Sequence, residues 1–352
     1  DAASIRDLWR AARAAGPAVG AAPAREEPPA RGDEAPVQRR ASVAVMPFVD
    51  VSAAGGAAGG PADGLAHDVI TRLAKLRSLF VIAQGSVFAL RDRRIGPQEA
   101  GRMLNVDYTV GGTLRRAGPR LIVSVELVET RTARIIWAEM FDHPVDDAFL
   151  VMDAIGNRIV ASVASEIETA ERNRALLKPP NSLDAWEAHH RGLWHMYRFT
   201  RADNAQAQRF FESAVRRDPT FARAHAGLSF THFQNAFQGW AERATEIDRA
   251  FAAAGQSLMA DDRDPAAHWA MGRALWLRGS HARAIIEMES AVDLSPNFAL
   301  GHYTLAFFHA QDGDPAAAMD FSDYSRQLSP FDPLLFAMLG SRAIALARLQ
   351  RF

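Results

Sequence analysis

The chain has no cysteine among its 352 residues, which excludes disulfides, cysteine-ligated zinc sites and thiol chemistry. It also has no excess of basic charge, because 40 Lys and Arg residues stand against 41 Asp and Glu residues. A nucleic-acid-binding surface normally carries a basic excess, so we predict no direct nucleic-acid binding by these residues. No apolar run reaches the roughly 20 residues that a membrane-spanning helix needs, so we predict no membrane span.

Both ends of the sequence are typical of a piece of a longer protein. The first residues, Asp1 to Arg6, include neither an initiator methionine nor the basic segment and apolar core of a signal peptide. The last residues, Leu349 to Phe352, stop inside a helical pattern. We therefore expect a chain that is cut at both ends.

Residues 1–41 predict a short helix and a linker. Ile5, Leu8, Trp9 and Ala12 would share one face of a helix within residues 1–14. Between residues 16 and 38 the composition shifts to Ala, Pro, Gly and charged residues, and each proline there would interrupt a helix. Such a segment has little with which to form a core, so we predict a linker.

Residues 42–178 predict an α/β domain. Short apolar runs bounded by Gly and Pro predict strands, and apolar residues at helical spacing predict helices. In chain order we predict a strand at 42–48, a helix at 61–76, a strand at 79–83, a helix at 97–104, strands at 108–114, 121–129 and 134–141, and a helix at 146–174. This order implies a mixed sheet with helices packed on it.

Several short motifs in this region resemble TolB-like domains. They are AVMPF at residues 44–48, ADGL at 62–65, GRMLNVDY at 101–108, GGTLRR at 111–116 and IWAE at 136–139. The resemblance covers about residues 42–168. It implies that the domain lies next to an array of tetratricopeptide (TPR) repeats, as TolB-like domains do in bacterial regulators.

Residues 183–352 contain a repeat of about 34 residues. Pro296 and Pro330 are 34 residues apart, and the pairs Gly272/Ala284 and Ala306/Ala318 each have a spacing of 12 residues. Small residues at these positions allow two helices to cross closely, and a proline ends the second helix, so the pattern resembles TPR repeats. The segment 220–264 is long for one repeat, which predicts an insertion near residues 237–243. Residues 331–352 predict the first helix of an unfinished repeat.

The sequence offers little support for catalysis, metals or cofactors. The glycine-rich loop at residues 55–60 is followed by Pro61, Ala62 and Asp63 rather than the Lys-Ser/Thr pair of a phosphate-binding loop, so we predict a surface loop. No Gly-x-Ser-x-Gly or His-Glu-x-x-His motif occurs. By resemblance to TPR repeats, a set of the 11 histidines occupies positions between paired helices where packing aromatics usually lie, namely His225, His232, His268, His302 and His309. The group His189, His190 and His195 leaves metal binding open. We predict no enzyme activity, no cofactor and no metal.

The aromatic residues of the TPR first helices are the main functional signal. By resemblance to TPR arrays, these helices line a groove that binds a protein or peptide, and aromatic residues and Arg are enriched at binding hot spots. Matching the pattern residue by residue gives Trp186, His189, Tyr197, Arg223, Phe230, Phe233, Trp269, Arg273, Trp276, Tyr303 and Phe307. Packing between neighbouring repeats is the competing interpretation for each of them.

The prediction is therefore a TolB-like α/β domain followed by an all-α TPR solenoid with a protein-binding groove. The resemblance implies a non-catalytic sensing and effector part of a cytoplasmic bacterial transcriptional regulator, with the DNA-binding domain upstream. The alternatives are the regulatory part of a class III adenylate cyclase and a free-standing envelope TPR adaptor, and the alternative location is the periplasm. Homo-oligomerisation stays open.

Overall fold

The computed structural model describes residues 40–52, 60–93, 95–144, 148–330 and 332–350. The predicted helix and linker before residue 40, most of the glycine-rich loop, Phe331 and the last two residues lie outside the described residues. Within residues 38–352 the chain forms one compact unit. Its first part is a mixed sheet with packed helices and its second part is an array of helical hairpins, so the predicted fold class is confirmed.

The sheet contains six strands. They are β1 (Ala41–Val45), β2 (Val49–Asp50), β3 (Leu79–Val81), β4 (Tyr108–Ala117), β5 (Arg120–Glu129) and β6 (Arg134–Pro144). The order is β3-β1-β4-β5-β6, and β2 also pairs with β4. Strand β1 is parallel to β3 and β4, whereas β4, β5 and β6 form an antiparallel meander. The alternating pattern predicted for β5 places Leu121, Val123, Val125 and Leu127 in the core.

The predicted strand at residues 42–48 is interrupted in the structure. Residues 46–48 lie between β1 and β2 and have no regular partner in β4. The last pair of β1 is Val45 with Val110, and the first pair of β2 is Val49 with Thr113. Three residues therefore face the two residues Gly111 and Gly112 of β4. Pro47 has no backbone N–H to donate, which explains why regular pairing stops here.

The first part has four α-helices in the described ranges. They are α1 (Pro61–Lys75), α2 (Gln84–Phe88), α3 (Pro97–Leu104) and the 29-residue α4 (Ala148–Leu176). Pro61 and Pro97 occupy first-turn positions, where the missing N–H costs nothing. The short α2 was not predicted from the sequence. The apolar faces of α1 and α4 enclose one core with the sheet, which extends to Leu183, Trp186 and Phe221 of the hairpin array.

The hairpin array consists of nine helices in the described residues. They are α5 (Ala185–Met196), α6 (Arg201–Arg217), α7 (Ala222–Phe237), α8 (Arg243–Ala260), α9 (Pro265–Leu277), α10 (His281–Leu294), α11 (Ala299–Asp312), α12 (Pro315–Leu328) and α13 (Leu335–Arg348). The long repeat at residues 220–264 has longer helices rather than a long insertion near residues 237–243. Helix α7 has 16 residues, α8 has 18, and five residues connect them. Helix α13 is the predicted first helix of a further hairpin.

Small residues bring the paired helices together as the repeat pattern predicts. A Cβ atom on Gly272 would lie 2.9 Å from the backbone oxygen of Ala284 and 2.4 Å from the end of Met288. Ala284, Ala306 and Ala318 are fully buried. The close approach of the helices therefore depends on side chains no larger than a methyl group at these crossings.

Candidate functional site

The candidate site is the inner face of the hairpin array, which the first helices α5, α7, α9 and α11 form together. All eleven residues predicted to line the groove lie on these helices or, for Tyr197, directly after α5. The structure divides them into three groups, which we call the seam, the cage and the rim. Their role in binding a partner stays a prediction.

The seam is where α4 of the α/β part meets the inner face. Its predicted residues are Trp186, His189, Tyr197 and Arg223. The indole N–H of Trp186 donates a 3.0 Å hydrogen bond to Glu171 of α4, and the Tyr197 ring lies under Arg172 of α4 at 4.9 Å. Burial and the neighbouring Glu168 carboxylate hold the pKa of Tyr197 well above its ordinary value, so its hydroxyl stays protonated. Helix α4 therefore occupies this end of the inner face.

Arg223 connects three elements at the seam. Its Nε donates to Asp264 at 2.8 Å, and its Nη2 donates to the backbone oxygen of Leu76 at 2.6 Å. Asp264 caps the start of α9, so Arg223 links α7 to α9 and to the end of α1. The guanidinium is committed to contacts within the chain rather than to the open solvent.

His189 packs inside the first hairpin. Its ring lies 5.0 Å from Phe221 and 5.5 Å from Phe211, and its side chain is 5% exposed. Burial, His190 and Arg223 together hold the pKa of His189 well below its ordinary value, so the ring is neutral. Within the described residues, no group of three or more His, Asp or Glu residues could hold a metal ion.

The cage surrounds Arg273 in the middle of the inner face. The other members are Phe230, Phe233, Trp269, Tyr303 and Phe307. The Arg273 guanidinium lies 4.1 Å from the Phe233 ring and 5.0 Å from the Phe230 ring, and it donates to Thr304 at 3.3 Å. Burial lowers the pKa of Arg273 from its ordinary value. No carboxylate pairs with Arg273 among the residues that the structure describes, so the aromatic rings supply much of its stabilisation.

The rim lies at the carboxyl ends of α7 and α9. Trp276 is half-buried, and its ring is 6.1 Å from that of Phe237 and 5.1 Å from that of Phe307. Phe237 is 43% exposed. The rim is thus the part of the predicted groove where large aromatic side chains reach solvent.

Phe237 and Glu171 were not predicted as functional residues. Phe237 follows Phe233 by four residues, so the same helical spacing that selected Phe230 and Phe233 could have found it. Glu171 gives no such signal, because a carboxylate in a long amphipathic helix normally faces solvent. Only the packing of α4 against the hairpins shows that this carboxylate is buried.

The seam is closely packed. It encloses a cavity of about 110 Å³ between α4, Tyr197, Arg223 and the segment that precedes α13. Partial burial of Asp332 at this cavity raises the pKa of its carboxyl above the ordinary value. A cavity of this size holds a few water molecules and leaves no room for a peptide. The part of the inner face that α4 covers is therefore closed.

No helix among the described residues combines the length and the apolar character that crossing a membrane requires.

Comparison with known proteins relates the chain to a longer protein. No protein-family model matches it. It is 30% identical over 263 residues to a protein of Rhizobium meliloti named "Putative adenylate cyclase 3", and the match covers 72% of this chain and 43% of that protein. The chain thus spans less than half the length of the curated relative.

Two solved structures illustrate the likeness of each part. TolB from Acinetobacter baumannii is 12% identical with a TM-score of 0.28, and covers 37% of this chain and 28% of its own. A thermophilic TPR protein from Thermus thermophilus is 16% identical with a TM-score of 0.41, and covers 55% of this chain and 99% of its own. Both TM-scores lie below 0.5, so these likenesses do not support the fold assignment. The assignment rests on the strand and helix geometry of the chain itself.

Proposed function

We propose that this chain is a non-catalytic protein-interaction and sensing part of a longer bacterial regulator, and that the rim binds its protein partner. The observation that carries the proposal is the exposure of Phe237, which lies beside Trp276 and against the buried ring of Phe233. Exposed aromatic side chains supported by a packed surround are the residue types that dominate protein-binding energy. The cage and the seam then act as the rigid base of the rim.

The base of the rim is already ordered without a partner. Phe233 and Phe307 contact the rim rings from below, and both are buried. A partner that covers Phe237 and Trp276 would therefore immobilise few additional side chains, which lowers the entropic cost of binding. The proposed occupant is an apolar segment of a protein or peptide.

For the activity that this part regulates, we propose nucleotide cyclisation. The relative from Rhizobium meliloti carries the name of an adenylate cyclase, and this favours the cyclase over the transcriptional regulator. The transcriptional regulator remains the alternative for the same module, with DNA binding in place of cyclase activity. In both cases we propose a cytoplasmic location, with the periplasm as the alternative.

The rim is tested with the double variant Phe237→Ala/Trp276→Ala. Partners captured from cells of the source organism are quantified by mass spectrometry, and we expect at least a ~10-fold loss for the double variant. The matched control is Met259→Ala/Ile286→Ala, which removes two exposed apolar side chains from the second helices α8 and α10. Circular dichroism first establishes that both variants are folded. Retention of every partner by the rim variant would show that the rim does not bind them.

The regulated activity is tested on the native gene product. The protein is purified from its own organism, its intact mass is measured, and it is assayed for conversion of ATP to cyclic AMP. Conversion supports the cyclase proposal. Specific DNA binding without conversion would replace it with the transcriptional alternative.

A further inference from the structure

A crevice lies outside the carboxyl end of β1, where the direction of the chain connections changes. From β1 the chain passes through β2 and α1 to β3, which pairs with one edge of β1. From β3 it returns through α2 and α3 to β4, which pairs with the other edge of β1. All three strands are parallel, so the connections leave the two sides of β1 in opposite directions. Open α/β sheets bind ligands at this kind of position, because the diverging connections leave a gap there.

The crevice is large enough for a small molecule. Its volume is about 670 Å³, and residues 46–50, the first turn of α1, the segment before α3, and strands β4 and β5 line it. Small-molecule sites typically measure about 300–1,000 Å³. It lies in the α/β part, apart from the seam, the cage and the rim.

The floor of the crevice is open backbone. A Cβ atom on Gly111 of β4 would meet no atom within 4 Å, so space lies directly above this residue. Ile95 and Val128 add apolar surface beside it. This floor suits a flat apolar group that lies against the sheet.

One polar side chain at the floor has no partner in the described part of the chain. Thr109 is 3% exposed as a residue and lines the crevice, and its hydroxyl oxygen stays accessible there without a hydrogen bond to another described residue. A hydroxyl both donates and accepts, so a ligand in the crevice can form the hydrogen bond that the chain does not supply.

The charges around the crevice are mainly negative. Among the described residues, Asp50, Asp63 and Glu126 line it together with one cation, Arg91, whose Nη2 lies 2.6 Å from Asp63. The Ser52 hydrogen bonds lower the pKa of Asp50, so this carboxylate stays ionised. Within the described residues no ion pair engages Glu126. The crevice thus has an excess of negative charge.

The helix ends at the crevice do not reverse this sign. Helices α1 and α3 both begin there, and no side chain caps their first N–H groups. Each carries an acidic residue in its first turn, Asp63 in α1 and Glu99 in α3, which offsets the partial positive charge of the helix end. An anionic ligand would therefore face a net repulsion.

We propose that the crevice binds a small organic amine with a flat apolar body. The apolar body of the ligand lies over Gly111 between Ile95 and Val128, and its ammonium group faces the carboxylates of Glu126 and Asp50. The Thr109 hydroxyl donates a hydrogen bond to the ligand or accepts one from it. The site is independent of the rim, so its test does not depend on the proposed protein partner.

Three probes of the same shape test the charge preference. Benzylamine, benzyl alcohol and benzoate share one ring and differ in having a cationic, neutral or anionic head. Binding to the full chain is measured by ¹H–¹⁵N chemical-shift titration, and we expect dissociation constants that rise in that order. We expect benzylamine to bind at least ~10-fold more tightly than benzoate, because each ~1.4 kcal/mol of charge interaction gives a factor of ten. Preference for benzoate, or no binding of benzylamine up to millimolar concentrations, would overturn the proposal.

Three variants locate the site. Gly111→Val places a branched side chain in the space above the floor, where a Cβ atom meets no atom within 4 Å, so we expect it to abolish benzylamine binding. Circular dichroism establishes that the variant is folded. Glu126→Gln keeps the shape and removes one charge, and we expect it to weaken benzylamine more than benzyl alcohol. The control is Gly64→Ala in α1, where an added Cβ also meets no atom within 4 Å and which does not line the crevice. Unchanged benzylamine binding by Gly111→Val would place the binding elsewhere and contradict the proposal.

Discussion

Three histidines show how single residues join one hairpin to the next. Each lies early in a first helix, and its Nε2 bonds to the backbone oxygen of the residue six positions earlier, in the connection between hairpins. The pairs are His225 with Pro219 at 2.9 Å, His268 with Asp262 at 2.8 Å, and His302 with Pro296 at 2.9 Å. The same contact thus recurs in successive hairpins. It accounts for these histidines by packing, as the sequence indicates.

Two of these histidines should have opposite effects on the pH dependence of stability. The hydrogen bond to Glu287 raises the pKa of His268. The contribution of His268 to the free energy of unfolding is therefore fully present below the pKa of the unfolded state, about 6.5, and is lost as the pH rises through the pKa of the folded state. Burial lowers the pKa of His302, so its contribution is present above about 6.5 and is lost as the pH falls. His268→Gln should therefore be most destabilising at acidic pH, and His302→Gln at neutral pH.

Urea unfolding of the wild type and both variants between pH 5 and 8 measures this difference. The exposed His281 provides a control, since His281→Gln changes a side chain that is 44% exposed. Parallel pH profiles for His268→Gln and His302→Gln would show that the two environments do not differ in the proposed way.

At the scale of elements, glycines within helices separate close packing from free surface. A Cβ atom on Gly227 in α7 would lie 2.6 Å from the Phe211 ring, whereas one on Gly255 in α8 would meet no atom within 4 Å. We expect Gly227→Ala to destabilise the protein by about 1–3 kcal/mol through overpacking. Gly255→Ala should stabilise it by about 0.5–1 kcal/mol, because Ala loses less backbone entropy in a helix.

Thermal unfolding measures both changes. The double variant Phe211→Leu/Gly227→Ala tests the cause, since a smaller side chain at residue 211 should reduce the additional cost of the Gly227→Ala substitution. Equal stability changes for the two single glycine variants would refute the packing explanation.

Most elements could be predicted because their signals are local. The apolar periodicity and first-turn proline of α1 predict residues 61–76, and the helix spans Pro61–Lys75. The strand at residues 42–48 was predicted as continuous, because its apolar run does not show where pairing with β4 stops. Helix α2 was missed, because Gln84–Phe88 is too short for a helical period to show.

At the scale of the whole molecule, the state of the inner face could not be predicted from the hairpin sequences alone. The repeat pattern places the eleven predicted residues on the first helices of the hairpins or directly after one, and their place in a groove stays a prediction. It contains no information on α4, which covers the seam through contacts between residues far apart in the chain, such as Tyr197 with Arg172. It also does not show that Arg273 draws the surrounding rings together into a buried cage. Exposure depends on such contacts, and only the folded chain reveals them.

Glu171 joins the two parts of the molecule at one buried carboxylate. Tyr108 of β4 donates to its Oε1 at 2.7 Å, Trp186 of α5 donates to its Oε2 at 3.0 Å, and Arg174 pairs with it at 2.9 Å. Burial and this carboxylate raise the pKa of Tyr108, so its hydroxyl remains a donor. The sheet and the hairpins therefore share hydrogen bonds as well as a common core.

We expect this shared core to make the described part of the chain unfold in one transition. Far-UV circular dichroism and tryptophan fluorescence should coincide in urea for the wild type, although five of the seven tryptophans lie in the hairpin array. Glu171→Ala leaves the Tyr108 hydroxyl and the Trp186 N–H without their acceptor, while Arg174 keeps its pair with Glu129. It should cost about 2–6 kcal/mol, because each unsatisfied buried donor costs about 1–3 kcal/mol. The lost hydrogen bonds join the sheet to the hairpins. The unfolding transitions that circular dichroism and tryptophan fluorescence follow should therefore separate in the Glu171→Ala variant. Trp186→Phe removes one donor and should cost less, about 1–3 kcal/mol. Separate transitions already present in the wild type would mean that α4 packs against the hairpins without coupling their stability to that of the sheet.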